Sequence, residues 1–142
     1  MYCRWPEEFH CLHIKGLYDN QKLSNSIDQY FGRTLPFIDD ALASGGKILV
    51  NCWAGVSRSS STIAAYLIQN KHVTRDEALE QIRVNRPQAR PNRLYKTQLD
   101  ELYNTLTKNR TKSESLTTDA PTEEPTEDPT EETMADSKNK AV

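Results

Sequence analysis

Few folds can seat the stretch Val50-Asn51-Cys52-Trp53-Ala54-Gly55-Val56-Ser57-Arg58-Ser59. Lys47 to Asn51 reads as a short buried strand through Ile48, Leu49 and Val50, and Ser59 to Lys71 as a helix rich in Ile, Ala, Tyr and Leu. Between them the chain must curl at the mouth of a helix, where free backbone N–H groups and the helix dipole favour an anion. Arg58 adds a planar fork suited to two oxygens of one phosphate. The same positive groups favour a thiolate at Cys52 and make it a nucleophile near neutral pH. Gly55 suits this loop, because amides converge on one ligand only where a residue accepts unusual backbone angles and lets the ligand approach closely. An isolated cysteine ordinarily packs as a small hydrophobe. Here the strand, the glycine, the arginine and the flanking serines fall together where phosphate chemistry needs them.

Cys52-x5-Arg58, with Gly55 and Ser57-Arg58-Ser59, resembles the signature loop of dual-specificity protein phosphatases within the cysteine-phosphatase superfamily. The resemblance runs from about Phe9 to Leu106. Tyr30-Phe31 followed by Phe37-Ile38-Asp39 is similar to the helix before the signature strand, and Ala65-Tyr66-Leu67 to the helix after it. Arg86-Pro87 through Pro91-Asn92 to Gln98-Leu99 resembles the closing loop and last helix. The resemblance implies an α/β fold: a central, mostly parallel sheet flanked by helices around a phosphate-binding loop. Because it begins part-way into the family domain, the sheet is expected to be incomplete.

Covalent phosphate-ester cleavage also needs an acid, since the departing oxygen must be protonated. Asp19 is the candidate: it follows an expected strand, Phe9 to Lys15, in the polar loop Tyr18-Asp19-Asn20-Gln21, 33 positions before Cys52. The family's acid occupies such a loop at about that distance. A turn-forming Asp is the plainer reading. Asp28, Asp39 and Asp40 are weaker candidates, since they fall in a predicted helix. The resemblance implies that Cys52 attacks phosphorus while Arg58 and the amides of Trp53, Ala54, Gly55, Val56 and Ser57 hold the phosphate oxygens. Ser59 either stabilises the returning thiolate or caps the helix. Asn92 either supports the site or opens the last helix. Neither a metal nor a cofactor is implied.

One residue departs from the family pattern. The family usually carries His just before the nucleophile, where this chain has Asn51. Asn retains two donors and an acceptor on a shorter side chain. The expectation is a weaker Cys52 acid than in the family, with activity reduced rather than lost.

Charge divides the chain. Residues 1–108 carry fourteen Lys/Arg and eleven Asp/Glu, a net +3, whereas residues 109–142 carry four and nine, a net −5. The first segment is expected to be the catalytic domain. The second holds Pro-Thr-acid-acid repeats at Pro121, Pro125 and Pro129 and reads as a disordered acidic tail, either a solvated spacer or a regulatory element open to phosphorylation. Thr74-Arg75-Asp76-Glu77 is a capping box, followed by Ala78, Leu79 and Ile82 on one face. Leu94, Tyr95, Leu99, Leu102, Tyr103 and Leu106 give the last helix an apolar face and read as core. Pro36 is expected to kink or restart a helix over Ile27 to Ala43. Arg83, Arg86, Arg90 and Arg93 form either a solvated basic face or a recruitment surface for acidic substrates.

Cys3, Cys11 and Cys52 are odd in number, and neither a signal peptide nor a membrane-length apolar run is present, which suits a reducing cytoplasm or nucleus. Cys11 reads as buried and structural, or as an oxidative partner for Cys52. His10 and His13 point to opposite faces of an extended segment and cannot converge on one ion. The expected function is therefore a monomeric protein phosphatase acting on phosphotyrosine and phosphoserine/threonine. Its expected partners are phosphoproteins, kinases of the mitogen-activated type among them, without nucleic acid or membrane. The alternative is a weak or inactive pseudophosphatase that binds phosphoproteins. A lipid- or RNA-directed phosphatase fits less well, because Trp53, Ala54 and Val56 are neutral where polyanions favour lysine. Rhodanese-like sulfur transfer matches the loop and Asp19 poorly.

Overall fold

The computed structural model describes residues 7–19 and 26–115. A short 3-10 turn, Asp28–Tyr30, leads into α1, Phe31–Ala43, followed by α2, Arg58–Lys71, α3, Arg75–Asn85, and α4, Arg93–Ser115. Helix α2 lies at the centre and packs against α1, α3 and α4. Apolar residues recur at helical spacing on α1 as Phe31, Leu35 and Ile38, and on α2 as Ala64, Ala65 and Ile68. With Ile27, Ala78, Leu79, Tyr95 and Leu99 they form the buried core. Truncating Ile68, Leu79 or Leu99 to Ala would cost about 2–5 kcal/mol each, because neighbouring side chains refill such a cavity only in part.

The expected central parallel sheet does not form: among the described residues there is no β-strand. Lys47–Asn51 is non-helical, and Leu49 is 85% exposed, so the apolar run lacks the cover that would bury it. A strand exists only through pairing with a neighbour, and a run such as Ile48-Leu49-Val50 cannot supply its own. Phe9 to Lys15 is likewise non-helical and unassigned to a strand. It rests on the helices through the His10 ring, 5.0 Å from that of Phe37.

The helices follow the sequence more closely. Thr74 caps α3 with both halves of the box: its side chain accepts from the Glu77 N–H, and a Glu77 carboxylate oxygen accepts from the Thr74 N–H at 2.8 Å. Helix α1 runs through Pro36 unbroken, and the expected break falls instead at the 3-10 turn before Phe31. Pro36 and Gly32, whose carbonyl loses its helical donor, are both exposed, so water can serve that carbonyl. Helix α4 continues past position 108. The acidic repeats at 121–132 lie outside the described residues.

Gln98 on α4 secures the entry to α1. Its Oε1 accepts from the Ile27 N–H at 2.9 Å, and its Nε2 donates to Ser26 Oγ at 2.7 Å. Cys11 is exposed and disulfide-bonded, whereas Cys52 is a free thiol. This corrects both the buried reading of Cys11 and its pairing with Cys52. No group of three or more His, Cys, Asp or Glu could hold a metal among the described residues.

Candidate active site

The loop from Cys52 to Ser57 turns its carbonyls outward by a set of specific bonds. Arg86, just past α3, donates from Nη2 to the Ala54 carbonyl at 3.0 Å and from Nε to that of Gly55 at 3.3 Å. The Arg90 N–H takes the Val56 carbonyl at 2.8 Å. Ser60 Oγ donates to the carbonyls of Val56 (2.6 Å) and Ser57 (2.9 Å), and Ser61 Oγ to that of Ser57 at 2.8 Å. A loop whose carbonyls are held outside presents its amides within. Gly55 makes the turn possible, with φ of 64° and a position where a Cβ would lie 2.7 Å from Arg86 Nη2.

The amides of Gly55 and Val56 point at sulfur. Burial pushes the Cys52 thiol up, but hydrogen bonds from the Ser59 hydroxyl and from the backbone of Ser59, Gly55 and Val56 more than reverse this. The result is a fall from 9.0 to about 7. The Ser59 hydroxyl stands 3.2 Å from Cys52 Sγ. Ser59 lies inside α2, whose N-cap is Ser57, so the structure pairs it with the thiol and corrects its reading as the cap. Trp53 and Ala54 are exposed, and the Trp53 indole stands 91% open to solvent.

Arg58 opens α2 beneath the loop. Its Nη1 donates to the Leu17 carbonyl at 3.2 Å, while its Nε is buried without a partner. A buried guanidinium N–H left unpaired is costly, and an anion seated in the loop is the natural acceptor for it.

Asp19 meets the loop across a long stretch of sequence. Its Oδ1 accepts from Ser57 Oγ at 2.9 Å and from Asn92 Nδ2 at 2.7 Å. Ser57 Oγ in turn accepts from the Asn92 N–H at 3.1 Å. Asn92 also caps α4, its Oδ1 accepting from the Tyr95 N–H at 2.9 Å, so the two roles read from the sequence coexist. Asp28 lies in the 3-10 turn, and Asp39 accepts from Asn70 Nδ2 at 2.7 Å on α2.

Two residues were not legible in the sequence as neighbours of the loop or of Asp19: Arg86, and Tyr95, whose hydroxyl donates to the Tyr18 carbonyl at 2.8 Å. Arg86 reads there as one of four basic residues, and Tyr95 only as core. The Arg86-Pro87 pair after an amphipathic helix was the one available signal for a residue turned back on the loop. Two concavities among the described residues, about 280 Å³ beside Val73 and Glu77 and about 460 Å³ beside Glu7 and His10, include no loop residue.

A family model described as the dual specificity phosphatase catalytic domain matches residues 2–105. The chain belongs to that family. It is 35% identical over 85 residues to dual specificity protein phosphatase 1 of Arabidopsis thaliana, covering 60% of this chain and 43% of that protein. It is 41% identical over 73 residues to MAP kinase phosphatase with leucine-rich repeats protein 3 of Dictyostelium discoideum, covering 51% of this chain and 8% of that one. Among solved structures, the human tyrosine phosphatase-like serine/threonine/tyrosine-interacting protein superposes with a TM-score of 0.57 at 33% identity, over 63% of this chain and 58% of that one. This phosphatase-family chain therefore spans less than half the length of these two curated relatives.

Proposed function

We propose that the domain hydrolyses phosphate monoesters on phosphotyrosine and phosphoserine/threonine of proteins, through a cysteinyl-phosphate intermediate. The observation that carries the reading is a free thiol lowered to about 7 above an arginine with an unpartnered buried Nε. Cys52 thiolate attacks phosphorus, forming an S–P bond as the P–O bond to the substrate breaks. Arg58 and the inward amides from Trp53 to Ser57 take the charge that develops on the phosphoryl oxygens. Asp19 gives its proton to the departing oxygen. Its Oδ1 is engaged by two donors, so Oδ2 is the atom suited to carry that proton.

In the second step Asp19 takes a proton from water. The water oxygen bonds to phosphorus, the S–P bond breaks, and the thiolate returns to Ser59. Asn92 and Ser57 keep the acid oriented throughout. Residues 1–108 form the catalytic domain in this reading, and 109–142 an acidic appendage. The substrates are phosphoproteins, with kinases of the mitogen-activated type as candidates because one relative is named a MAP kinase phosphatase. Among the described residues no helix is long and apolar enough to cross a membrane. The proposed setting is the cytoplasm or nucleus.

Turnover of para-nitrophenyl phosphate by the full chain is the test. Cys52→Ser should abolish it, and Asp19→Ala should strongly reduce turnover of phenyl phosphate, whose leaving group needs the proton. A second reading, a phosphoprotein-binding module with little turnover, is favoured by the uncovered Leu49 segment leading into the loop. Tight phosphopeptide binding without hydrolysis would select it.

A further inference from the structure

We propose that Tyr95 is a positioning residue for the acid: its hydroxyl holds the backbone beside Asp19 so that the carboxyl faces the departing oxygen. The inference rests on the reading of Asp19 as proton donor. Tyr95 is fully buried, and its ring packs in the core with Leu99 and Ile68. Packing alone asks only for an aromatic ring, while the phenolic oxygen demands a hydrogen-bond partner when buried. That partner is the Tyr18 carbonyl, 2.8 Å away and 77 positions distant in sequence. The carbonyl belongs to the peptide that leads directly into Asp19.

The same turn of α4 grips the segment twice. Asn92 at the cap and Tyr95 in the first turn are three positions apart, and the Asn92 Oδ1 accepts from the Tyr95 N–H. Asn92 takes the Asp19 carboxylate at Oδ1, and Tyr95 takes the backbone one residue earlier. One attachment would let the segment pivot about the carboxylate oxygen; two fix its orientation. Two further side chains tether the same strand of backbone, Arg58 at Leu17 and Tyr30 at the Lys15 carbonyl (3.1 Å). The Arg58 bond comes from the guanidinium that a bound phosphate would also draw upon. The Tyr95 bond faces no such competition. Burial, reinforced by the charge of Asp19, pushes the phenol up to about 12, so it remains a donor wherever the enzyme would work.

Tyr95→Phe removes one oxygen and keeps the ring. A displaced acid should matter in proportion to the leaving group's need for a proton. General acid catalysis is worth about 10²–10⁴-fold where it operates, so the variant should lose about 10-fold in kcat on phenyl phosphate. On para-nitrophenyl phosphate, whose leaving group departs unaided, it should lose less than about 2-fold. Cys52 alkylation should be unchanged. In an Asp19→Asn background, Tyr95→Phe should add nothing further. The ratio of the two esters is read on one sample, so a smaller folded fraction cancels.

Equal losses on both esters, or an additive loss in the Asp19→Asn background, would overturn the proposal. If Asp19→Asn discriminates the esters and Tyr95→Phe does not, only the positioning role falls. If Asp19→Asn itself fails to discriminate them, the acid assignment falls and this inference with it. Absence of turnover in the unaltered chain removes both.

Discussion

Ser59→Ala isolates the strongest favourable contribution to the Cys52 thiolate. Burial acts against ionisation of this sulfur, and the Ser59 hydroxyl leads the groups that overcome it. A hydrogen bond to an ionised acceptor is worth about 1.5–3 kcal/mol. Cys52 is only half-buried, so water replaces part of that bond after substitution, leaving about 1.4 kcal/mol, a tenfold change in ionisation. The midpoint should then move from about 7 to about 8. The sign follows from a depressed acid: native thiolate survives down to about 7 and is lost below it, and the variant loses it at higher pH. At pH 7 the ionised fraction falls from about one half to about one tenth, and alkylation by iodoacetamide slows about fivefold. Well above pH 9 the two proteins should react alike. Alkylation rates between pH 5 and 10, on samples matched by circular dichroism, provide the measurement. A poorer thiolate leaving group should also slow the second step, seen as a larger burst on para-nitrophenyl phosphate. A variant midpoint still near 7, or a native midpoint near 9, would refute the reasoning.

Three other changes probe the loop and its support. Arg58→Lys keeps the charge but loses the planar fork, and should lower kcat/KM by about 10²-fold or more with the fold retained by circular dichroism. Gly55→Ala meets both a left-handed backbone angle and the Arg86 guanidinium, and should destabilise by about 1–3 kcal/mol in urea unfolding while slowing turnover. Thr74→Ala removes the capping box far from the chemistry. It should cost about 1 kcal/mol in the same unfolding assay and leave kcat and KM unchanged.

The parts of the molecule that were readable from sequence are those governed by neighbours in sequence. The capping box needs only Thr74 and Glu77, and the loop needs a glycine, an arginine and a helix start within a few positions. The stripes of α3 and α4 are legible for the same reason, since helical periodicity is local. The sheet was a different matter. Ile48-Leu49-Val50 carries the apolar signature of a buried strand, yet burial is conferred by other segments, and here Leu49 remains uncovered. Ser59 shows a finer limit: serine at a helix start signals a cap, but the helix begins one residue earlier, and the hydroxyl turns to sulfur instead. Asp19 was a candidate acid from its polar loop and its distance before Cys52, whereas its partners Ser57 and Asn92 lie 38 and 73 positions away. The Tyr95 hydroxyl was hidden by its ring, because a tyrosine in an apolar stripe satisfies the pattern whether or not its oxygen has work to do.

Asn92 gives the domain an unusual economy of parts. One amide side chain caps the start of a helix with its oxygen and holds a carboxylate with its nitrogen, so under the proposed mechanism docking of α4 and alignment of the acid go together. On that proposal, a chain whose last helix has not docked would carry its Cys52 loop without an aligned proton source.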